Sequence, residues 1–212
     1  MEMHAQMDLA LFDFDGTITT RETMPGFMHA AVRPARLRLG KVLLWPLILG
    51  YKAGFVSAVT VRAAICFLGF RRVPVLELEM HGLRFAREFL PTALRPEAMA
   101  RIAWHKARGD TIVVVSGGLD TYLRHWCEAH RLHLLCSRLE QRDGRLTGRY
   151  LGRQCVRDEK ARLVREHFPP ERFPRVFAYG DTPEDLALLA LAHEPYYRWQ
   201  PIPTSLRTDS GN

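Results

Sequence analysis

The chain has 212 residues, of which 47% are hydrophobic and 25% charged, and a formal net charge of +7. That length holds one good core and a small insertion, and that apolar content excludes a disordered chain. The first eight residues lack the apolar core of a signal peptide, and the four cysteines form no Cys-x-x-Cys pair; free thiols in a reducing cytoplasm are the expectation.

Leu9-Ala10-Leu11-Phe12 is an apolar run too short for a helix, and it predicts a strand buried on both faces. It ends in Asp13 and Asp15, one residue apart, followed by Gly16-Thr17. A buried parallel strand delivers its last residues to the carboxyl edge of the sheet, where open α/β folds bind ligands. Two carboxylates there repel each other and lose hydration, and a bound cation is the usual compensation.

Residues 21–90 have helical character and no clear strand pattern. Within them Val42 to Leu49 is very apolar, with Arg36, Arg38 and Lys41 before it and Tyr51 and Lys52 after it. It is too short to span a bilayer, which takes about 20 apolar residues. Two readings stay open: a helix of the insertion's own core, kinked at Pro46, or an interfacial segment. In the second, Trp45 and Tyr51 lie at headgroup depth and the basic residues face anionic lipid.

Pro96 is placed as the first residue of a helix running to Arg108, with Gly109 as its stop. Thr111 to Val115 reads as a strand ending in Ser116-Gly117-Gly118, and a helix follows over Leu119 to His130. Glycines there let backbone N–H groups approach an anion. Asp143-Gly144 predicts the turn of a hairpin within residues 137–148. A helix starts near Asp158, which can cap it, and carries Lys160 in its first turn. Arg175 to Tyr179 predicts a third strand, running into Gly180-Asp181-Thr182-Pro183-Glu184-Asp185 and a last helix from Thr182 or Pro183. The tail after Pro195, rich in proline and polar residues, is expected to lie over the surface or to fray. His130 and His133 are three apart but lack an acidic or thiol partner, so no metal site is expected there.

Four motifs in this order resemble the haloacid dehalogenase-like superfamily. Asp13-Phe14-Asp15-Gly16-Thr17 is similar to its first motif, Ser116-Gly117-Gly118 to its second, Lys160 to its third and Gly180 to Asp185 to its fourth. The long segment between the first two motifs, and the hairpin stretch from Ser137 to Gly148, resemble the phosphoserine phosphatase-like branch. The resemblance implies an α/β fold with a Rossmann-like parallel sheet. Its core would be residues 1–20 and 91–212, with 21–90 inserted as a helical cap.

The same resemblance implies roles. Asp13 would be the nucleophile that forms an aspartyl-phosphate, and Asp15 the general acid and then general base. Mg²⁺ would be held by the Asp13 carboxylate, the Asp15 backbone carbonyl and Asp181. Asp185 would ligate through water or orient Lys160. Ser116, the Gly117 N–H and Lys160 would bind phosphoryl oxygens. Glu22 sits where a phosphoserine phosphatase contacts the substrate amine, and Arg62 is similar to the arginine holding the substrate carboxylate. Glu184 and Gly16 depart from that branch, which usually has asparagine and often serine there, so phosphoserine is not inferred as substrate.

The expected activity is Mg²⁺-dependent hydrolysis of a small phosphorylated metabolite. One alternative is a lipid-phosphate phosphatase, similar to phosphatidylglycerophosphatases, with a peripheral membrane contact through 42–52. Another is a basic nucleic-acid-binding protein with an idle site. The spread-out basic residues and the absence of a stacking platform make a nucleic-acid partner the lesser expectation.

Overall fold

The structure, a computed structural model, describes residues 7–203. Strand β1 (Leu9–Phe12) leads to a tight turn over Phe14–Ile18 and then to α1 (Met24–Ala31), α2 (Pro34–Lys52), α3 (Ala58–Phe70), α4 (Val75–Glu88) and the single turn α5 (Leu90–Ala93). There follow α6 (Pro96–Ala107), β2 (Thr111–Leu119), α7 (Asp120–Ala129), β3 (His133–Ser137), β4 (Leu139–Arg142), β5 (Arg145–Tyr150) and α8 (Asp158–His167). The chain ends in β6 (Val176–Gly180), α9 (Leu186–Leu189), β7 (Glu194–Tyr197) and β8 (Gln200–Pro201).

Six strands form one sheet in the order β3-β2-β1-β6-β7-β8, parallel except for the β7–β8 pair. β1 is central, with β2 on one side and β6 on the other. The connections therefore diverge at β1, which makes its carboxyl end a topological switch point. Alternate residues of β1 go to opposite faces. Leu9 and Leu11 pack with Val113, Val115, Val164 and Leu188. Ala10 and Phe12 pack with Val114, Phe177, Tyr122 and the aromatic cluster of the helices. All four are completely buried, as an unbroken apolar run requires.

Several local expectations hold. α6 starts at Pro96, and Gly109 turns the chain at φ +77° after it. Asp143 and Gly144 both have positive φ, the signature of a tight hairpin turn between β4 and β5. Three differ. Ser116, Gly117 and Gly118 lie within β2 rather than after it, where the pairing with β3 skips between Ser116 and Leu119. Asp158 does not cap α8: it is the first helical residue, and Arg157 before it takes φ +52° with no side-chain cap bond. The last helix is split into a single tight turn over Pro183–Asp185 and the four-residue α9. The tail differs too: rather than lying over the surface or fraying, Glu194–Tyr197 and Gln200–Pro201 add two strands to the sheet, and residues 204–212 lie outside the described residues.

The β4–β5 hairpin leaves the sheet and joins the helices between β1 and β2. The Arg72 N–H donates to the Leu146 carbonyl (2.8 Å), Leu146 N–H to Val73 (2.9 Å) and Val75 N–H to Gly144 (3.0 Å). A Cβ at Gly148 would stand 2.9 Å from the Phe67 Cα, so β5 lies against α3 at glycine distance. The Cys66 thiol donates to the Tyr150 hydroxyl (3.2 Å).

Where α6 and the start of β2 meet β6 lies a buried polar cluster. His105 Nδ1 faces Asp110 Oδ2 (2.8 Å) and Nε2 faces the Tyr179 hydroxyl (3.0 Å). Burial pushes His105 below its ordinary value, although Asp110 opposes this. The neutral ring thus donates to Asp110 and accepts from Tyr179. Burial alone would raise Asp110, but hydrogen bonds from His105 and Arg108 hold it low. Both shifts have one sign: as pH falls, the unfolded chain takes up a proton before the folded one does. Stability is therefore lost below about pH 6.5 for His105 and further down for Asp110. Urea unfolding should show His105→Gln losing more relative to the native chain at pH 7.5 than at pH 5.5. An equal loss at both values would rule out the neutral ring.

Candidate active site

The carboxyl ends of β1, β2 and β6 meet at one cavity of about 300 Å³, whose walls include Asp13, Asp15, Ser116, Gly117 and Lys160. Asp13 is reached straight from β1, its N–H donating to the Tyr179 carbonyl of β6 (2.9 Å). Lys160 comes from the first turn of α8. Its ammonium, 3% exposed, lies 2.5 Å from Asp13 Oδ1 and 2.6 Å from Asp185 Oδ1.

Asp185 is completely buried. Its Oδ2 accepts from the N–H groups of Asp181 (3.1 Å) and Thr182 (3.0 Å) and from the Thr182 hydroxyl (3.1 Å). Thr182 and Asp185 thus form a capping box on the turn after β6. A Cβ at Gly180 would stand 2.5 Å from that of Asp185, so glycine at the end of β6 lets the turn fold back on the strand. Asp181 accepts from the Thr17 hydroxyl (3.2 Å). Gly16 carries the first-motif turn at φ +81°, and a Cβ there would collide with the Asp181 carboxylate. Glycine is needed at this position both for its backbone and for the close approach of the two motifs.

One oxygen of each of Asp13, Asp181 and Asp185 lies within 4.8 Å of the others. Burial pushes Asp13 up to about 8 against the opposing pull of Lys160. Burial and Asp185 raise Asp181 as well. Lys160 keeps its proton: burial works against it, and Asp13 and Asp185 outweigh burial. Hard oxygen donors, crowded and short of positive charge, fit a small divalent cation. Asp13 and Asp181 can face it, since Asp185 has both oxygens engaged within the protein.

Asp15 points elsewhere. Its Oδ1 accepts from both the N–H (2.9 Å) and the hydroxyl (2.6 Å) of Thr23, the residue just before α1. The Thr23 hydroxyl has thereby used its only hydrogen, so Tyr122 donates to it across 3.1 Å. Burial raises Asp15 to about 7, with the Thr23 bonds pulling the other way.

The outer wall comes from the helices between β1 and β2 and from the hairpin, through Glu22, Met24, Tyr51, Arg62 and Tyr150. Glu22 is raised by burial. Arg62 is on the cavity; its Nη2 donates to Glu184 (2.9 Å), while its buried Nη1 has no hydrogen-bond partner among the described residues. The structure therefore brings together Asp13, Asp15, Ser116, Gly117, Lys160, Glu22 and Arg62 on one cavity, with Asp181 and Asp185 beside Asp13. Ser116 Oγ accepts from the Gly118 N–H (3.0 Å), which holds it at the bend of β2.

Sequence reasoning missed Thr17, Thr23, Tyr122 and the Arg62–Glu184 pair. Thr23-Met24-Pro25 is a legible helix start, and that was the available signal for Thr23. Thr17 closes the first motif, which was its signal; nothing local marks Tyr122 or the Arg62–Glu184 pair, whose contacts span 99 and 122 residues of chain.

A model of the haloacid dehalogenase-like hydrolases matches residues 10–190. Protein CicA of Caulobacter vibrioides is 32% identical over 203 residues, 93% of this chain and 88% of that one. The histidinol-phosphatase of Neisseria meningitidis is 26% identical over 141 residues, 61% of this chain and 64% of its own. Among solved structures, a protein of unknown function from Bordetella pertussis Tohama I superposes with TM-score 0.76 at 24% identity, covering 91% of this chain and 90% of that one. A phosphoserine phosphatase solved as a phospho-aspartyl intermediate analogue gives TM-score 0.63 at 22% identity, covering 91% and 86%. The chain belongs to the haloacid dehalogenase-like hydrolases. Within them its fold is that of the phosphoserine phosphatase-like branch.

Thr23→Val removes a charge-assisted hydrogen bond while leaving the backbone one. Turnover should fall by about 10- to 100-fold, from about 1.5–3 kcal/mol, with KM changed little. Steady-state kinetics giving native turnover would show that Thr23 does not position Asp15.

Proposed function

We propose that this hydrolase is a Mg²⁺-dependent phosphatase that cleaves phosphomonoesters through an aspartyl-phosphate on Asp13. One observation carries the reading: the buried Lys160 ammonium bridges Asp13 and Asp185, with Asp181 beside them and a free cavity in front. The phosphatase names among its relatives and fold neighbours support it.

An Asp13 carboxylate oxygen attacks phosphorus while the bond to the leaving oxygen breaks. Asp15, with a value near 7, donates its proton to that oxygen and the alcohol departs. Water then attacks the phosphorus and gives its proton to Asp15. The bond to Asp13 breaks, and inorganic phosphate leaves. Lys160, the Gly117 N–H and Ser116 hold the phosphoryl oxygens. The carboxylates of Asp13 and Asp181 and the carbonyl of Asp15 would hold Mg²⁺, which would supply the positive charge that lets an anionic substrate approach an anionic nucleophile. Asp185 positions Lys160, since its other oxygen is fixed by the capping box.

Residues 21–90 act as the cap over this site and select the leaving group. The Arg62–Glu184 pair ties α3 of the cap to the turn after β6; it runs through Nη2, and the buried Nη1 has no hydrogen-bond partner among the described residues, which leaves it able to donate to a substrate oxygen. Glu22 on the wall suits a leaving group bearing a hydrogen-bond donor. A second reading, a phosphatase of lipid phosphates, is favoured by one observation: Tyr51 lines the cavity from the end of an apolar, exposed helix.

Phosphate release should be seen from members of a panel of phosphoserine, sugar phosphates, nucleotides and phosphatidic acid in micelles with Mg²⁺, and be abolished by EDTA. Asp13→Asn should lose about 10³-fold or more in turnover while keeping its circular dichroism. Substantial residual turnover in that variant would sink the covalent route.

A further inference from the structure

α2 is apolar on two sides. Leu37, Leu44 and Ile48 turn inward, toward Met28 of α1 and Ile65 and Leu68 of α3, around a cavity of about 230 Å³. The opposite side carries Leu39, Val42, Leu43, Trp45 and Leu49 into solvent, with Val42 73% and Trp45 60% exposed. Phe55, in the loop after α2, is 89% exposed. No residue of α2 is fully buried. Helices with apolar character on every side are normally enclosed, and a large exposed apolar face marks a contact surface.

Charge says what covers it. Residues 23–76 hold eight lysines and arginines and no aspartate or glutamate. That local charge exceeds the net +7 of the whole chain. Arg38, Lys41 and Lys52 of α2 form no ion pair among the described residues. On the flank, a cavity of about 310 Å³ between α2 and α3 is lined by Arg36, Arg71 and Arg72 with Leu39 and Phe67. Two copies meeting face to face would press two such cationic surfaces together, which opposes self-association. Exposed aliphatics with Trp45 and Phe55, set among unopposed cations, match the boundary of an anionic membrane. Among the described residues, no helix is long and apolar enough to cross one.

We propose that the outer face of α2, with Phe55, docks the protein on an anionic bilayer, the apolar side chains entering the headgroup boundary and the cations meeting lipid phosphates. Because Tyr51 at the end of α2 also lines the catalytic cavity, docking brings the mouth of the site to the membrane. This last consequence rests on the proposed activity; the docking does not.

The test is flotation of the full chain with vesicles of phosphatidylglycerol and phosphatidylcholine, or of phosphatidylcholine alone, at low and high salt. Binding should require the anionic lipid and weaken with salt. Trp45→Glu and Phe55→Asp should each weaken it about tenfold or more. Neither residue is in the catalytic cavity, so Mg²⁺-dependent turnover of a soluble aryl phosphate should stay native, and it reports that the variants are folded. Phe55 has so little contact with the fold that its variant remains informative if Trp45→Glu misfolds. Equal binding to neutral vesicles, no binding to either, a dimer in sedimentation that Trp45→Glu dissociates, or salt-dependent DNA or RNA binding without vesicle binding would each overturn the docking. Loss of aryl phosphate turnover in the native chain would overturn the proposed activity and leave the vesicle result standing.

Discussion

The buried ammonium of Lys160 is the constraint to which the rest of the site answers. It joins α8 to the end of β1 and to the turn after β6, three segments far apart in sequence. Buried ion pairs add little net stability, because desolvation offsets much of the attraction. Removing one partner is a different matter, since the remaining charges are left crowded and unpaired. Lys160 therefore acts chiefly on position. It holds Asp13 through one carboxylate oxygen, and it fixes Asp185, which in turn closes the backbone of Asp181 and Thr182.

The two acids of the first motif are separated by environment. Asp13 faces Lys160 and Asp181, whereas Asp15 is turned onto Thr23 and, through it, Tyr122. Burial raises both acids, opposed at Asp13 by the Lys160 ammonium and at Asp15 by the hydrogen bonds from Thr23. Two positions along the chain thus become a difference of surroundings, because the turn over Phe14–Ile18 begins directly after Asp13. Gly16 is the hinge of that turn.

How much of this was legible depends on the range of the interaction. β1 was readable because both its faces are buried, leaving four apolar residues in a row. Ser116, Asp181 and Asp185 were readable at the ends of the apolar runs that carry them; Lys160 was readable only through the order of the motifs, since taken alone it is an ordinary helix lysine. The extent of β2 was misjudged because glycines end most strands, whereas here Gly117 and Gly118 continue the strand through an irregular pairing. The cap at Asp158 failed because the unusual backbone of Arg157 sets the helix start instead. Tyr122 and the Arg62–Glu184 pair were illegible in principle, since nothing in their neighbours records a partner a hundred residues away. The apolar character of 42–49 was plain; that its outer side faces solvent required knowing which side α1 and α3 occupy.

The hydrogen bonds between Arg72, Val73, Val75 and the β4–β5 hairpin have a mechanical consequence. The helices between β1 and β2 are fastened to a second, distant stretch of chain that crosses back to the sheet on its own two connections. Any swing of those helices over the cavity must carry the hairpin with it. The moving body is then discontinuous and hung on four strands of backbone, so it resembles a plate on paired hinges more than a flap on one. Such a plate resists twisting and keeps a single axis. A transplant of the helical stretch alone into another scaffold would arrive without half of its suspension.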